Sequence, residues 1–323
     1  MSLAAKMKVL WVQPHAVRKV TSCFVLLLFS VSATLCTELS RSNDGDYPYN
    51  TFMIPCAVEG LKLFSSATIL VFSSVTGQEV QMKLSLRRFL SFCLPALCYF
   101  VSNNCMFYII KDLGPTTFQI LNNLKVLFTG MLMFVFLGRK LSWLRWKALI
   151  LLVIGSMVTQ LEADSSLSAG TRSGYFFVLL NSAAAGAGGV MSELLLKGGK
   201  SVGDVAAAES IHWQNCQLYF FGLLFGMLSL LAKKNSDVEY PLAGFNFWAV
   251  CTVVSLTMCG LMVSFILKYL DNFAKCFVQA VSMILVAVGH ASTTQHSIPL
   301  RIGLGIALVC LAIEQYSLPQ AMA

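Results

Sequence analysis

Charged residues are scarce in this chain: they occupy 12% of its 323 positions, whereas hydrophobic residues occupy 57%. Soluble globular domains carry roughly 25% charged residues, so the composition excludes a domain of that class. Apolar runs long enough to cross a bilayer recur along the whole sequence, and almost nothing remains for a folded domain outside the membrane. We therefore predict a single polytopic membrane domain over residues 1–323, with the lipid bilayer as its surroundings.

Motifs for catalysis and metal binding are also missing. The sequence contains no Ser/His/Asp arrangement, no HExxH and no P-loop. No CxxC pair occurs among the eleven cysteines, most of which lie in apolar runs as small packing residues. The histidines do not cluster: they are His15, His212, His290 and His296. We predict no enzyme, no metal site and no cofactor.

The apolar runs predict an all-α protein with about ten transmembrane helices. Their approximate ranges are 20–36, 52–75, 88–110, 115–137, 143–161, 173–196, 211–232, 245–267, 272–294 and 298–317. Basic residues precede the first run and small residues follow it, as in a signal peptide. We favour an uncleaved first helix, because its removal would conflict with the charge pattern that follows.

Basic residues lie at the ends of the apolar runs rather than in one patch, which argues against a nucleic-acid partner. Most of them fall on one membrane side: Lys6, Lys8, Arg18, Lys19, Lys83, Arg87, Arg88, Arg139, Lys140, Arg145, Lys147, Lys197, Lys200 and Lys268. The other side has fewer: Arg41, Lys111, Arg172, Lys233, Lys234 and Arg301. The positive-inside rule makes the first side cytoplasmic, and both termini then face the cytoplasm.

A faint internal repeat divides the chain into two halves. The segment FYIIKDLGPTTFQIL, between spans three and four, resembles VSFILKYLDNFAKCFV, between spans eight and nine. Aligning Lys111 with Lys268 places Phe118 opposite Lys275, and the two segments lie on opposite membrane faces. We predict an inverted five-plus-five repeat with halves at 20–161 and 173–317, and a binding site between them near the midplane.

Lys125 lies within the fourth apolar run, about 15 Å along the helix from Pro115 at 1.5 Å per residue. A charge at the centre of a bilayer costs roughly 2.5–3.5 kcal/mol on insertion scales. Phe118, Asn122, Lys125 and Thr129 share one helical face. Lys125 either pairs with a carboxylate such as Glu59 or binds an anion, and we favour the anion because intramembrane acids are few.

Two further lysines lie within spans. Lys62 is three residues from Glu59, so the pair either neutralises itself or offers Lys62 to a ligand. Lys275 starts a polar stripe with Gln279 and Ser282. It lies only about one turn from the membrane surface, so it either extends to that surface or, like Lys125, binds an anion.

Amides and a tyrosine complete the set of intramembrane polar residues: Asn103, Asn104, Asn215, Gln217 and Tyr219. Such groups commonly form hydrogen bonds between helices. Amides also present a donor and an acceptor in fixed geometry, which suits nucleobase edges and ribose hydroxyls. With lysines for phosphate and aromatic rings for stacking, the set is compatible with a nucleotide site. Small residues from Ser182 to Gly189 allow close helix packing or leave room for a ligand.

Longer motifs extend this interpretation. The segments SNNCMFYIIKDLGPTTFQILNNLKVLFTGMLMFVFLGRKLSWLRWKALILLVIGS, HWQNCQLYFFG and LKYLDNFAKCFVQAVSMIL resemble the nucleotide-sugar transporter family, in particular its CMP-sialic acid and UDP-galactose transporters. VEGLKL resembles the family's Glu-x-x-Lys segment. The resemblance covers about residues 52 to 295 and implies a drug/metabolite-transporter fold that works by alternating access. It implies exchange of a cytosolic nucleotide sugar for a lumenal nucleoside monophosphate, in Golgi or endoplasmic reticulum membranes.

By position, the resemblance assigns phosphate contacts to Lys125 and Lys275 and places Lys62 near the sugar. It lines the nucleotide pocket with Asn103, Asn104, Asn215 and Tyr219. Two departures concern the substrate: Phe118 stands where sialic acid carriers usually have tyrosine, and the loop from Gly198 to Ile211 is long. Alternatives are another organic-anion or phosphorylated-metabolite carrier of this fold and, less economically, a polytopic membrane transferase. The sequence leaves monomer and homo-oligomer both open.

Overall fold

A computed structural model describes residues 14–42, 47–50, 53–77, 81–83, 85–113, 115–138, 141–160, 172–198, 209–232, 243–294 and 300–318. The described chain is all-helical. Its α-helices are α1 (Pro14–Leu39), α2 (Met53–Val75), α3 (Leu86–Ser91), α4 (Cys93–Leu113), α5 (Pro115–Leu121), α6 (Lys125–Leu137), α7 (Trp143–Gln160), α8 (Arg172–Lys197), α9 (Ile211–Ala232), α10 (Phe247–Tyr269), α11 (Asn272–Thr294) and α12 (Leu300–Ser317). A 3-10 turn, Asn122–Leu124, joins α5 to α6.

The helices confirm a polytopic membrane protein, and each predicted apolar run coincides with one helix or one broken helix. Eight helical segments of the described chain are long and apolar enough to span a membrane. The fourth run is interrupted by the 3-10 turn, which leaves a shorter apolar piece, Asn122–Leu137. The fifth is α7, which carries Arg145 and Lys147 near its start. The first helix is described from Pro14 onward, earlier than the predicted residue 20.

The 3-10 turn in the fourth span determines where its polar residues point. Runs of 3-10 helix are tighter than α-helix and change the angular spacing of side chains. Here the turn separates Phe118 on α5 from Lys125, the first residue of α6. A single straight helical face, as the sequence predicts for these residues, is therefore broken between them. The span ends at Gly138, whose φ of 63° is in the left-handed region that favours glycine.

Helix packing is reciprocal between the two ends of the chain. In the first half, α4 packs extensively on α8, the first helix of the second half. In the second half, α10 packs in the same way on α1, the first helix of the first half. The second helices, α2 and α9, pair with each other, and so do the last helices, α7 and α12. This pairing is what two equivalent five-helix halves would produce, and the division into halves at 20–161 and 173–317 stays a prediction.

The α7–α12 pair is held by two glycines at the point where the helices cross. A Cβ built on Gly305 would lie 2.8 Å from the backbone oxygen of Gly155. A Cβ on Gly155 would lie 3.0 Å from the Cβ of Leu308 and 3.1 Å from the Gly305 oxygen. Both helices therefore need glycine here, because their backbones approach too closely for a side chain.

Candidate functional site

A cavity of about 290 Å³ lies inside the helix bundle, between the paired helices α2 and α9 and their neighbours. Helices α2 and α4 supply one part of its wall, and α8, α9, α10 and α11 supply the rest. Both predicted halves therefore contribute to it. Its polar lining includes Glu59, Lys62, Tyr99, Asn103, Asn104, Ser192, Tyr219, Ser264, Lys275 and Gln279. The cavity thus combines cations, amides, hydroxyls and aromatic rings, which is the chemistry needed to hold a polar organic anion.

The structure brings most of the predicted site residues to this cavity. Its lining contains Lys62, Asn103, Asn104, Tyr219 and Lys275. The other predicted positions are described by the structure but are not among the lining residues: Phe118, Asn122, Lys125 and Asn215. The predicted long loop from Gly198 to Ile211 lies outside the described residues between 199 and 208.

Lys275 and Lys125 form the cationic part of the site. Lys275 extends into the cavity from the first turn of α11. Lys125 lies within electrostatic range of Lys275 and Cys276. In the part of the chain that the structure describes, neither ammonium group meets a carboxylate within salt-bridge distance or donates a side-chain hydrogen bond. Two neighbouring cations that have no counter-ion among the described residues create a local field that favours a ligand with negative charge.

Lys62, in contrast, is held by the protein. Its ammonium group donates to Glu59 Oε1 and lies 4.5 Å from the ring centroid of Tyr219. The Tyr219 hydroxyl is fixed in turn by Ser264 Oγ at 2.8 Å and by the Gly260 oxygen at 3.3 Å. Lys62 therefore pairs with Glu59, and both side chains line the cavity, so a contact of Lys62 with a ligand stays a prediction. Glu59 consequently does not pair with Lys125.

The Glu59–Lys62 pair gives a prediction about stability. Removing one partner of a buried pair leaves an uncompensated charge, whereas replacing both partners is often neutral. We expect Glu59→Ala to lower the free energy of unfolding by about 1–3 kcal/mol, a value reduced because the cavity partly solvates the pair. Thermal unfolding of the purified protein should show that Glu59→Ala together with Lys62→Met is more stable than Glu59→Ala alone. A double variant less stable than the single variant would contradict this account.

The amides in and next to the cavity differ in the hydrogen bonds that they already make within the protein. Asn103 is exposed. Asn104 Nδ2 donates to the Phe100 oxygen at 2.8 Å, a bond that does not involve the amide oxygen of Asn104. The buried Oε1 of Gln279 has no hydrogen-bond partner among the described residues. Asn215, completely buried on α9 one turn before Tyr219, also lacks partners for both side-chain atoms in that part of the chain. Buried amides normally have partners, so these groups are available for hydrogen bonds.

Phe118 and Asn122 contact neighbouring helices instead of the cavity. Phe118 packs on an apolar cluster of Cys105, Ile109, Leu113 and Val178. Asn122 Oδ1 accepts a hydrogen bond from Asn181 Nδ2 at 3.2 Å, and Asn181 Oδ1 accepts one from Ser102 at 2.6 Å. These hydrogen bonds join the 3-10 turn to α8 and α4.

Some cavity residues were not among the predicted site residues. Gln279 is one turn after Lys275, and Tyr99 is one turn before Asn103, so helical spacing could have identified both. Ser192, whose buried hydroxyl has no partner in the described structure, gives no comparable signal because serine also serves as a small packing residue. Glu59 was interpreted as a counter-ion, for Lys62 or for Lys125, and not as a site residue.

Comparisons with known proteins agree with this architecture. The family model for nucleotide-sugar transporters matches residues 14–317. A rice (Oryza sativa subsp. japonica) protein named CMP-sialic acid transporter 1 is 30% identical over 311 residues, which cover 92% of this chain and 94% of that protein. The human UDP-galactose translocator is 28% identical over 330 residues, or 96% of this chain and 79% of that protein. These relatives are named for transport and not for catalysis.

The fold is also found among solved structures. One crystal structure superimposes on this chain with a TM-score of 0.66, covering 93% of this chain and 96% of that one. The two sequences are only 13% identical, so this likeness concerns the fold alone. The family match, in contrast, extends over nearly all of the described helices and over the residues that line the cavity. The chain therefore belongs to the nucleotide-sugar transporter family.

Proposed function

We propose that this protein exchanges a cytosolic nucleotide sugar for a lumenal nucleoside monophosphate by alternating access. The nucleotide is a CMP or UDP conjugate, in keeping with the names of the CMP-sialic acid and UDP-galactose carriers that it resembles. The membrane is that of the Golgi, with the endoplasmic reticulum as the alternative. Both termini face the cytosol, as the distribution of basic residues indicates.

One observation carries this proposal: Lys275, which has no salt-bridge partner among the described residues, shares a cavity with the amides of Asn103, Asn104 and Gln279 and with the ring of Tyr219. A nucleotide needs these three kinds of contact. Lys275, together with the nearby charge of Lys125, supplies positive charge to phosphate. The lining amides Asn103, Asn104 and Gln279 suit the base and the ribose. The ring of Tyr219 is occupied on one face by Lys62. Lys62 and Glu59 then face the sugar portion as a neutral pair.

Both exchange partners fit the same site, because each contains a nucleoside phosphate. The nucleotide sugar adds a hexose or a nonose, and the monophosphate leaves that part of the cavity empty. Alternating access requires that the site lie between two bodies that move relative to each other. The lining of the cavity supports this mechanism, since α2 and α4 belong to the first predicted half and α8–α11 to the second.

Counterflow into liposomes tests the proposal. Purified protein would be reconstituted into liposomes preloaded with CMP, UMP or buffer, and uptake of labelled CMP- and UDP-sugars would be measured. We expect one nucleotide class to be taken up faster from preloaded liposomes than from empty ones, by about tenfold or more. Uptake of phosphorylated sugars but of no nucleotide conjugate would instead identify a phosphorylated-metabolite carrier. Product formation without uptake would identify a membrane transferase.

A further inference from the structure

The end of α8 contacts the start of α11 through charged groups that lie outside the cavity. Glu193 is completely buried, and its Oε2 accepts a hydrogen bond from the Asn272 backbone N–H at 2.9 Å. Its Oε1 pairs with Lys197 Nζ at 2.7 Å, and Lys197 donates to the Leu270 backbone oxygen. We call these residues, Glu193, Lys197, Leu270 and Asn272, the clamp.

The clamp acts on the turn between α10 and α11. Backbone N–H groups in the first turn of a helix have no partner within the helix. In α11, Glu193 binds that of Asn272, and Asp271 Oδ1 binds that of Ala274 at 2.8 Å. A carboxylate also interacts favourably with the positive end of the helix dipole. The orientation of the first turn of α11 is therefore set by groups from α8 and from the turn itself.

A second contact between α8 and α11 lies one turn before the clamp. The Asn272 side chain rests against the Cα of Gly189, where any Cβ would overlap it. Gly189 and Glu193 are four residues apart, so they present the same face of α8 to the start of α11. Lys275 follows Asn272 within the same helical turn and projects into the cavity. A displacement of this turn would move the ammonium group of Lys275 with it.

We infer that Glu193 and Lys197 are positioning residues for nucleotide binding: by fixing the α10–α11 turn, they hold Lys275 where it meets the phosphate. This inference rests on the proposed function, because it assumes that Lys275 binds phosphate. The clamp contributes no atom to the cavity lining that the described residues define. Its effect on the ligand is transmitted through the backbone of Leu270 and Asn272.

A second ion pair near the same end of the bundle provides a control. Arg88 at the start of the third span pairs with Glu209 at 2.8 Å, and Lys268 Nζ donates to the Glu209 backbone oxygen at 2.6 Å. Burial raises the pKa of the Glu209 carboxyl, and the charges of Arg88 and Lys268 oppose that shift. This pair is buried like the clamp, but within the described structure its hydrogen bonds and ion pair involve Arg88 and Lys268 and not α11.

Substitutions can distinguish an ion pair that fixes the α10–α11 turn from one that stabilises only α8. Equilibrium binding of labelled CMP and UMP would be measured on purified wild type and on Glu193→Gln, Glu193→Ala, Lys197→Met and Glu209→Gln. A charge swap, Glu193→Lys with Lys197→Glu, keeps an i,i+4 pair but can neither accept from Asn272 nor donate to Leu270. Thermal unfolding of each variant would be recorded alongside.

We expect nucleotide affinity to fall about tenfold in Glu193→Ala, in Lys197→Met and in the charge swap, as one lost charge-assisted contact implies. Glu193→Gln still accepts from Asn272, so it should lose less. Glu209→Gln should keep its nucleotide affinity within about twofold, even if its unfolding temperature falls.

Wild-type affinity in the charge swap would overturn the inference, because the contacts to the turn would then be irrelevant. Wild-type affinity in both Glu193→Gln and Lys197→Met would also overturn the inference. If Glu193→Ala does not fold, these two variants provide the test in its place. Failure of the wild type to bind either CMP or UMP is a different result. It would refute the proposed function itself, and with it the premise of the inference.

Discussion

The Lys275→Gln variant is expected to lose nucleotide exchange by about 100-fold while keeping its fold, because truncating one partner of a buried charge pair costs about 2–5 kcal/mol. Lys275 lines the cavity and, among the described residues, its ammonium group has no carboxylate within salt-bridge distance. Its charge is therefore available to a ligand. Glutamine keeps a polar side chain but removes the positive charge, so phosphate would lose its closest cation.

Lys147→Gln provides the matched control. Lys147 lies near the start of α7, exposed and 5.6 Å from the ring of Trp143, away from the cavity. Counterflow by this variant should equal that of the wild type, whereas Lys275→Gln should show no more than background uptake. Lys125→Ala is expected to resemble Lys275→Gln, because Lys125 adds to the same local charge. Full exchange by Lys275→Gln would move the phosphate site elsewhere in the molecule.

The Gly305→Val variant is expected to lower the free energy of unfolding by about 3 kcal/mol, the upper part of the usual cost of overpacking. A Cβ at Gly305 would already lie 2.8 Å from the backbone oxygen of Gly155. Backbone cannot move aside as a side chain can, so α7 and α12 would have to separate. Thermal unfolding in detergent measures the effect, and size-exclusion chromatography would report loss of the assembled protein.

Gly303→Val is the control for this prediction. Gly303 is on the same helix, two residues earlier, and a Cβ built there would have no neighbour within 4 Å among the described atoms. The same substitution should therefore leave the unfolding temperature almost unchanged. Equal destabilisation by the two variants would mean that valine weakens α12 itself. The close approach to Gly155 would then not explain the loss.

The fold was largely predictable because its signal is repeated along the whole chain. A helix that spans a bilayer must be apolar for most of its length, so each predicted run coincides with a helix. The break at Asn122–Leu124 was not predictable in the same way. Apolar periodicity does not distinguish a short 3-10 turn from a continuous α-helix, and only packing against α8 and α4 shows where the side chains around it lie.

Residues of the candidate site could be predicted where burying their side chains in a membrane costs much free energy. Lys62 and Lys275 stood out for that reason, and both line the cavity. Ser192 and Tyr99 did not stand out, because serine and tyrosine are ordinary in spans. The clamp could not be predicted for a different reason: Glu193 accepts a hydrogen bond from a backbone N–H of another helix. That contact depends on tertiary structure, which no spacing within α8 reveals.

The proposed function depends on recognition of the nucleotide's phosphate by Lys275 in the cavity. Equilibrium binding to purified protein tests it most directly, with each nucleoside monophosphate compared with its parent nucleoside. We predict that CMP or UMP binds the wild type at least about tenfold more tightly than cytidine or uridine, as one charge-assisted contact implies. In Lys275→Gln this preference should disappear. Equal binding of nucleotide and nucleoside by the wild type, or an unchanged preference in Lys275→Gln, would contradict the account.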